Sequence, residues 1–174
     1  MPRSFDLSAD YDGSVEEVHR AFTDETYWRA RLAESGVDLA TLESMRVGGE
    51  TGDDDTVEVV TVQVIHSHKL PGMVTQLHSG DLRIRREEIW GPVADGAAQG
   101  SVVGSILDAP VNLKGTAMLS PIIETGGARL SFRATVQVRV PIIGGKLENI
   151  IGTRLAEVVA AEQRFTTEWI AKTV

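Results

Sequence analysis

Hydrophobic and polar residues alternate at the start of the chain. Phe5, Leu7 and Ala9 fall on one side and Ser4, Asp6 and Ser8 on the other. A period of two sends successive side chains to opposite faces, so residues 3–11 predict a strand. Asp12-Gly13 punctuates it as a turn. The period then becomes helical. Ser14-Val-Glu-Glu17 reads as a capping box, and Val15, Val18, Ala21 and Phe22 follow at spacings of three and four. A short helix is predicted to end near Phe22. A second begins after Asp24, carries Tyr27, Trp28 and Leu32, and stops at Gly36.

From Asp38 onward the pattern predicts strands over 39–47, 56–66, 82–90, 101–108, 112–122 and 128–140. The first two are joined by a polar turn, Gly48 to Asp55. Its Asp run lacks the alternating spacing and terminal Glu of a calcium loop and reads as a solvated hairpin tip. Apolar parity switches at Val59-Val60, which predicts a bulge or burial on both faces there. In the last strand Leu130, Phe132, Ala134, Val136 and Val138 alternate with Arg129, Ser131, Arg133, Thr135 and Gln137. One dry and one wet face is the mark of an antiparallel sheet, and the dry face is expected to meet the last helix. Glu124 to Gly127 is the turn before it. After Pro141 the apolar residues Leu147, Ile151, Leu155, Val158, Phe165 and Trp169 recur at helical spacing. They predict one amphipathic helix over 143–172, about 45 Å long.

The order is β-α-α-β6-α, an α+β arrangement. Hairpin-linked strands curl, and a long apolar stripe needs a partner along its length. A curved antiparallel sheet of about seven strands gripping the last helix satisfies both, with the two short helices closing one end.

The chain has 174 residues, 42% apolar and 24% charged. That suits a single folded domain over 1–174 and argues against disorder as the main state. The absence of cysteine excludes disulfides, cysteine nucleophiles and thiolate metal sites, and fits the expected cytoplasmic location. A net charge of −8 and a pI of about 5.0 give no basic footprint for nucleic acid and disfavour an anionic membrane surface. No uncharged apolar run is long enough to span a bilayer, so no integral membrane association is expected, and the acidic first residues do not read as a signal peptide.

Ser14-Val-Glu-Glu-Val-His-Arg-Ala-Phe22 and Pro141-Ile-Ile-Gly-Gly-Lys-Leu-Glu148 resemble the first-helix segment and the start of the gripping helix in the START-like, SRPBCC or Bet v 1-like superfamily. The Leu70-Pro71 loop, the Glu88-Ile-Trp90 strand end and the Glu162…Phe165…Trp169 spacing resemble its bacterial branch of unknown function, DUF2505. The resemblance covers nearly the whole chain. It implies a helix-grip fold with an internal cavity, in which members of the superfamily bind sterols, phospholipids, fatty acids or polyketides. A smaller set act there as cyclases, aromatases or dehydratases. It implies no cofactor.

The chemistry legible in the residues is sparse. No nucleophile elbow, zinc motif or phosphate loop occurs. His66 and His68 are expected on one strand face, with His78 nearby, as solvated side chains rather than a metal site, and His19 shows no partner. Asp81, Arg83, Arg85, Arg86, Glu87 and Glu88 make a charge-rich strand, read first as a solvated outer face. The alternative turns one Arg–carboxylate pair inward to orient a ligand. Glu162 is read at the edge of the apolar stripe, or as a cavity carboxylate with a raised pKa.

Few aromatic and many small residues favour an unfilled interior. The expected cavity wall comprises Met45, Val57, Val59, Val62, Ala117, Leu119, Phe132, Val136, Leu155, Val158, Glu162 and Phe165. Residues 66–80 form the longest connection without alternation. A short helix over Pro71–His78 is expected to gate the cavity through Met73, Val74 and Leu77. The expected function is binding a hydrophobic small molecule (lipid, fatty acid, sterol or polyketide-like) for carriage, sequestration or sensing, with no catalytic residue assigned. A cyclase-like enzyme using the same cavity and a protein-interaction module are the alternatives.

Overall fold

The computed structural model describes residues 2–70, 72, 74 and 80–173. Its strands are β1 (Arg3–Tyr11), β2 (Leu39–Val47), β3 (Val57–Ile65), β4 (Leu82–Trp90), β5 (Ala98–Ile106), β6 (Val111–Pro121) and β7 (Ala128–Val138). Its helices are α1 (Val15–Phe22), α2 (Glu25–Ala33) and α3 (Gly144–Thr173). The strands form one sheet in the order β1-β7-β6-β5-β4-β3-β2, with every pairing antiparallel. β2 to β7 follow one another as hairpins. β1 joins the far edge, so the α1–α2 pair must carry the chain from one edge of the sheet to the other. This is the helix-grip arrangement.

Local chemistry sets the element ends. The Ser14 hydroxyl accepts from the Glu17 N–H at 3.2 Å while the Glu17 carboxylate accepts from the Ser14 N–H at 3.0 Å. Both satisfy donors that the first turn of α1 leaves unpaired. The Asp24 carboxylate accepts from the Thr26 N–H and starts α2 in the same way. β7 stops at Val138, two residues before the sequence pattern does. There the buried Glu148 carboxylate takes the Val138 N–H at 2.9 Å and the Arg139 N–H turns to the Pro110 carbonyl. β5 begins at Ala98 rather than Ser101, because Ala98 pairs with Leu119 and Gly100 with Trp90, extending the ladder past the alternating residues.

The bulge lies one strand away from where it was expected. It interrupts β2 between Leu42 and Ser44, opposite Thr61 and Val60, and β3 itself stays regular. Val57, Val59 and Thr61 therefore face inward together and are buried, while Val60 and Val62 point to the outer face. Val62 therefore does not line the interior with Val57 and Val59, contrary to the expected wall.

Leu130, Phe132, Ala134, Val136 and Val138 face inward as expected, and Arg129 and Arg133 pair outside with Asp10 and Asp6. α3 packs chiefly on β1 and β7. The approach is close because Gly152 has no side chain: a Cβ there would lie 2.3 Å from the Phe5 ring. At the end capped by α1 and α2, Phe22, Tyr27, Trp28 and Trp90 form an aromatic cluster, with the Phe22 and Trp90 rings 5.2 Å apart. The buried Trp28 indole donates to the Phe22 carbonyl.

Candidate functional site

β4 alternates Leu82, Ile84, Arg86, Glu88 and Trp90 on its inner face with Arg83, Arg85, Glu87 and Ile89 on its outer face. The apolar members of the inner set fix the parity, and Arg86 and Glu88 are carried inside with them. The solvated-face reading holds for Arg83, Arg85 and Glu87 and fails for these two. Arg85 pairs outside with Glu87 and Glu43.

Across the interior, α3 presents Leu155, Val158, Glu162 and Phe165 along one line, since residues three, seven and ten apart share a helix face. Glu162 is the polar member. Arg86 donates to both its carboxylate oxygens, at 2.8 and 2.9 Å, and to Glu88 at 3.0 Å. α2 supplies the fourth charge. Arg31 donates to Glu88 at 3.2 Å and lies 3.4 Å from Glu162. Its guanidinium stands 4.3 Å over the Trp28 ring. Side-chain exposure is 11% for Arg31, 20% for Arg86, 8% for Glu88 and 23% for Glu162. Two guanidinium groups are thus matched by two carboxylates on the inner wall, each carboxylate held by both arginines.

A hydrogen-bond relay extends the cluster. Arg31 donates to the Tyr27 hydroxyl, Tyr27 to the Thr166 hydroxyl at 2.6 Å, and Thr166 to the Glu162 carbonyl at 2.7 Å. Burial pushes the Glu162 pKa upward, but the charges of Arg31 and Arg86 outweigh it and hold the carboxyl at about 2, not raised as a lone cavity carboxylate would be. Burial likewise disfavours charged Arg31 and Arg86, and Glu162 and Glu88 more than restore it, so both stay cationic. Burial raises the Tyr11 and Tyr27 phenols. Among the described residues, donors of this region remain unused. The buried Trp90 Nε1 has no hydrogen-bond partner, and Tyr11, whose phenol feels Tyr27, Glu162, Arg31 and Glu88, makes no side-chain hydrogen bond among the described residues.

The other expected wall residues divide by depth. Val57, Leu119 and Val136 are fully buried, and Val59, Ala117 and Phe132 nearly so, Val136 in one apolar cluster and the others in a second. Met45, Leu155 and Phe165 are only partly buried although they face inward, and Val158 is 40% exposed. Ile84 and Leu113 share that incomplete burial. Of the expected gate, Met73, Leu77 and the helix ends Pro71 and His78 lie outside the described residues. Gly72 and Val74 are helical, and Val74 packs partly buried against the cluster of Val111, Val136, Val138 and Leu147. Two concavities bounded by described residues lie elsewhere. One of about 630 Å³ opens on the outer face among Asp6, Thr116, Met118 and Arg133. The other, of about 440 Å³, lies at the β2–β3 turn among Arg46, Glu50, Asp54 and Glu58.

The histidines take other roles. His66 and His68 lie beyond the end of β3, on a 3₁₀ turn over Ser67–Lys69, with stacked rings 5.9 Å apart. His66 meets Asp81 at 3.2 Å. Among the described residues no group of three histidines or carboxylates is placed to hold a metal ion. His19 does have a partner: it is buried and its Nε2 lies 2.9 Å from the Gly91 carbonyl, tying α1 to the loop after β4. Arg31, which completes the charge cluster, had a signal in the sequence. It stands four residues after Tyr27 and three after Trp28, on the aromatic side of its helix.

Comparisons with known proteins agree with this fold. The family model described as "Protein of unknown function (DUF2505)" matches residues 6–170. An uncharacterized protein of Mycobacterium tuberculosis is 67% identical over 174 residues, covering all of both chains. Among solved structures, the Zhui aromatase/cyclase of a Streptomyces species superposes with a TM-score of 0.62 at 6% identity, covering 99% of this chain and 95% of the other. A norcoclaurine synthase variant of Thalictrum flavum bound to a transition-state analogue superposes with a TM-score of 0.54 at 10% identity, covering 99% and 96%. At such identities the likeness is one of fold. No helix among the described residues is long and apolar enough to cross a membrane.

Proposed function

The chain belongs to the DUF2505 family, and from its inner wall we propose that it binds a hydrophobic small molecule between the sheet and α3, for carriage, sequestration or sensing. One observation carries the reading: the helix line facing β4 is apolar on both sides of Glu162 yet incompletely packed, with Val158 40% exposed. α3 rests on β1 and β7. Toward β4 it is tied by the long side chains of Arg86 and Glu162. Apolar surface left accessible on Leu155, Val158, Phe165, Met45, Ile84 and Leu113 gains about 25 cal/mol for each Å² that a ligand covers. The Arg31–Arg86–Glu88–Glu162 cluster supplies the few fixed polar groups that orient an apolar ligand.

A cyclase or aromatase needs a group that exchanges protons near neutral pH. Glu162 is shifted down, Arg31 and Arg86 up, and the Tyr11 and Tyr27 phenols up, so each moves away from that range. That supports binding over acid–base chemistry at this cluster. Native mass spectrometry of protein purified from its own host tests the proposal, together with titration by the neutral apolar dye Nile red. The expected result is a retained small molecule or saturable dye binding that Val158→Trp weakens. No retained mass and no dye binding would refute it.

A further inference from the structure

Charge and hydrogen-bond accounting at the inner wall restricts the ligand's polar end. This step rests on the binding reading above and narrows it. The two guanidinium groups of Arg31 and Arg86 are already matched by the carboxylates of Glu88 and Glu162, and every carboxylate oxygen accepts from at least one arginine. A ligand carboxylate entering this wall would add an unmatched negative charge where solvent is scarce, and an uncompensated buried charge is among the costliest things a site can hold.

Donors remain unused at this wall. The Trp90 indole N–H is buried without a partner, two residues along the same strand face as Glu88. The Tyr11 hydroxyl makes no side-chain hydrogen bond among the described residues. Neither guanidinium spends its Nε–H on the cluster. Each can donate, and the one that is buried outright, Trp90 Nε1, is destabilising until an acceptor reaches it.

We infer that the ligand is an apolar molecule whose polar end is an uncharged hydrogen-bond acceptor, a ketone, ester or similar carbonyl oxygen, and not a free carboxylate. The apolar line of α3 covers its body and the donor-rich wall of β4 and β1 takes its oxygen.

The test uses two competitors with the same alkyl chain, undecyl methyl ketone and dodecanoate, displacing Nile red from the intact protein at neutral pH. The ketone is expected to compete at least about tenfold more tightly, the preference that one poorly compensated charge produces. Glu162→Gln leaves the cluster one negative charge short, and in that variant the preference should shrink or reverse toward dodecanoate. Equal competition, or tighter dodecanoate, in the unaltered protein overturns the inference while leaving ligand binding intact. If the dye binds nothing and neither competitor is held, the binding reading falls and takes the inference with it.

Discussion

Arg86 of β4 holds both carboxylate oxygens of Glu162 of α3, at 2.8 and 2.9 Å, across the inside of the sheet. The pair links the gripping helix to a strand on which it does not chiefly rest. Its ionisation therefore bears on stability. Glu162 has a folded pKa of about 2 against an ordinary value of 4.5. A lowered carboxyl pKa contributes stability that is present above the unfolded value and is lost as pH falls through the folded one. Glu162→Gln should cost roughly 3 kcal/mol at neutral pH. The gap between variant and parent should close between about pH 4.5 and pH 2. Urea unfolding at a series of pH values measures it, and a gap independent of pH would show that Glu162 contributes by shape alone.

Arg31 is the more buried of the two arginines and has two carboxylates to satisfy. Arg31→Met keeps much of its volume over Trp28 but leaves the carboxylates with one guanidinium. Removing one partner of a buried ion pair costs about 3–5 kcal/mol. The double variant Arg31→Met with Glu88→Gln should recover part of that loss, because it restores the balance of charge. Thermal unfolding of the single and double variants decides the point: a double variant no more stable than the single would mean that packing, not charge matching, sets the cost.

Two glycines on the inner face of the sheet should respond oppositely to a methyl group. At Gly115 a Cβ would lie 2.2 Å from the Phe132 ring, so Gly115→Ala must displace that ring, at about 1–3 kcal/mol. At Gly104, which pairs with Arg86, a Cβ would first meet Leu113 Cβ at an ordinary 3.5 Å. Gly104→Ala should leave stability unchanged or raise it by roughly 0.5 kcal/mol, as a strand glycine is entropically costly. The bulkier Gly104→Leu would occupy space beside Arg86 and should abolish Nile red binding before it lowers the melting temperature. Dye binding unaffected by Leu at this position would place the ligand elsewhere.

Ile142 stands fully exposed between β7 and α3 with a φ of 73°. A β-branched residue in the left-handed region is strained by about 1–2 kcal/mol, and its side chain here gains no burial to offset that. Glycine relieves the strain at an entropic cost of about 0.5–1 kcal/mol. Ile142→Gly should therefore raise the melting temperature by about 1–3 °C. A lower melting temperature would mean that the isoleucine makes a stabilising contact in solution.

Strand and helix order, the Ser14–Glu17 cap and the inward face of β7 were all legible in the chain, because each depends on residues a few positions apart. Alternation names the dry face of a strand wherever one parity is apolar throughout. In β4 neither parity is. Leu82, Ile84 and Trp90 share a parity with Arg86 and Glu88, so the run of charge masks the three apolar residues of that face. In β3 valines occupy both parities, so Val62 could not be told from Val59 until pairing with β4 put Val62 beside Arg85 and Val59 beside Glu88.

Periodicity alone determined the architecture of this protein, since hydrophobic period is a local property and only one simple arrangement buries a curved sheet and a long stripe together. Tertiary structure decided the character of its inner wall. Arg86 and Glu162 are 76 positions apart, and Arg31 comes from a third element, α2, which packs on β2. Whether a charged residue faces water or a counter-charge depends on which segments fold back against it. Glu162 alone, read as a cavity carboxylate rather than at the stripe edge, would have a raised pKa. Two arginines delivered from α2 and β4 reversed the sign, because here the attraction of two cations and the hydrogen bonds from Arg86 exceed the cost of burying the anion.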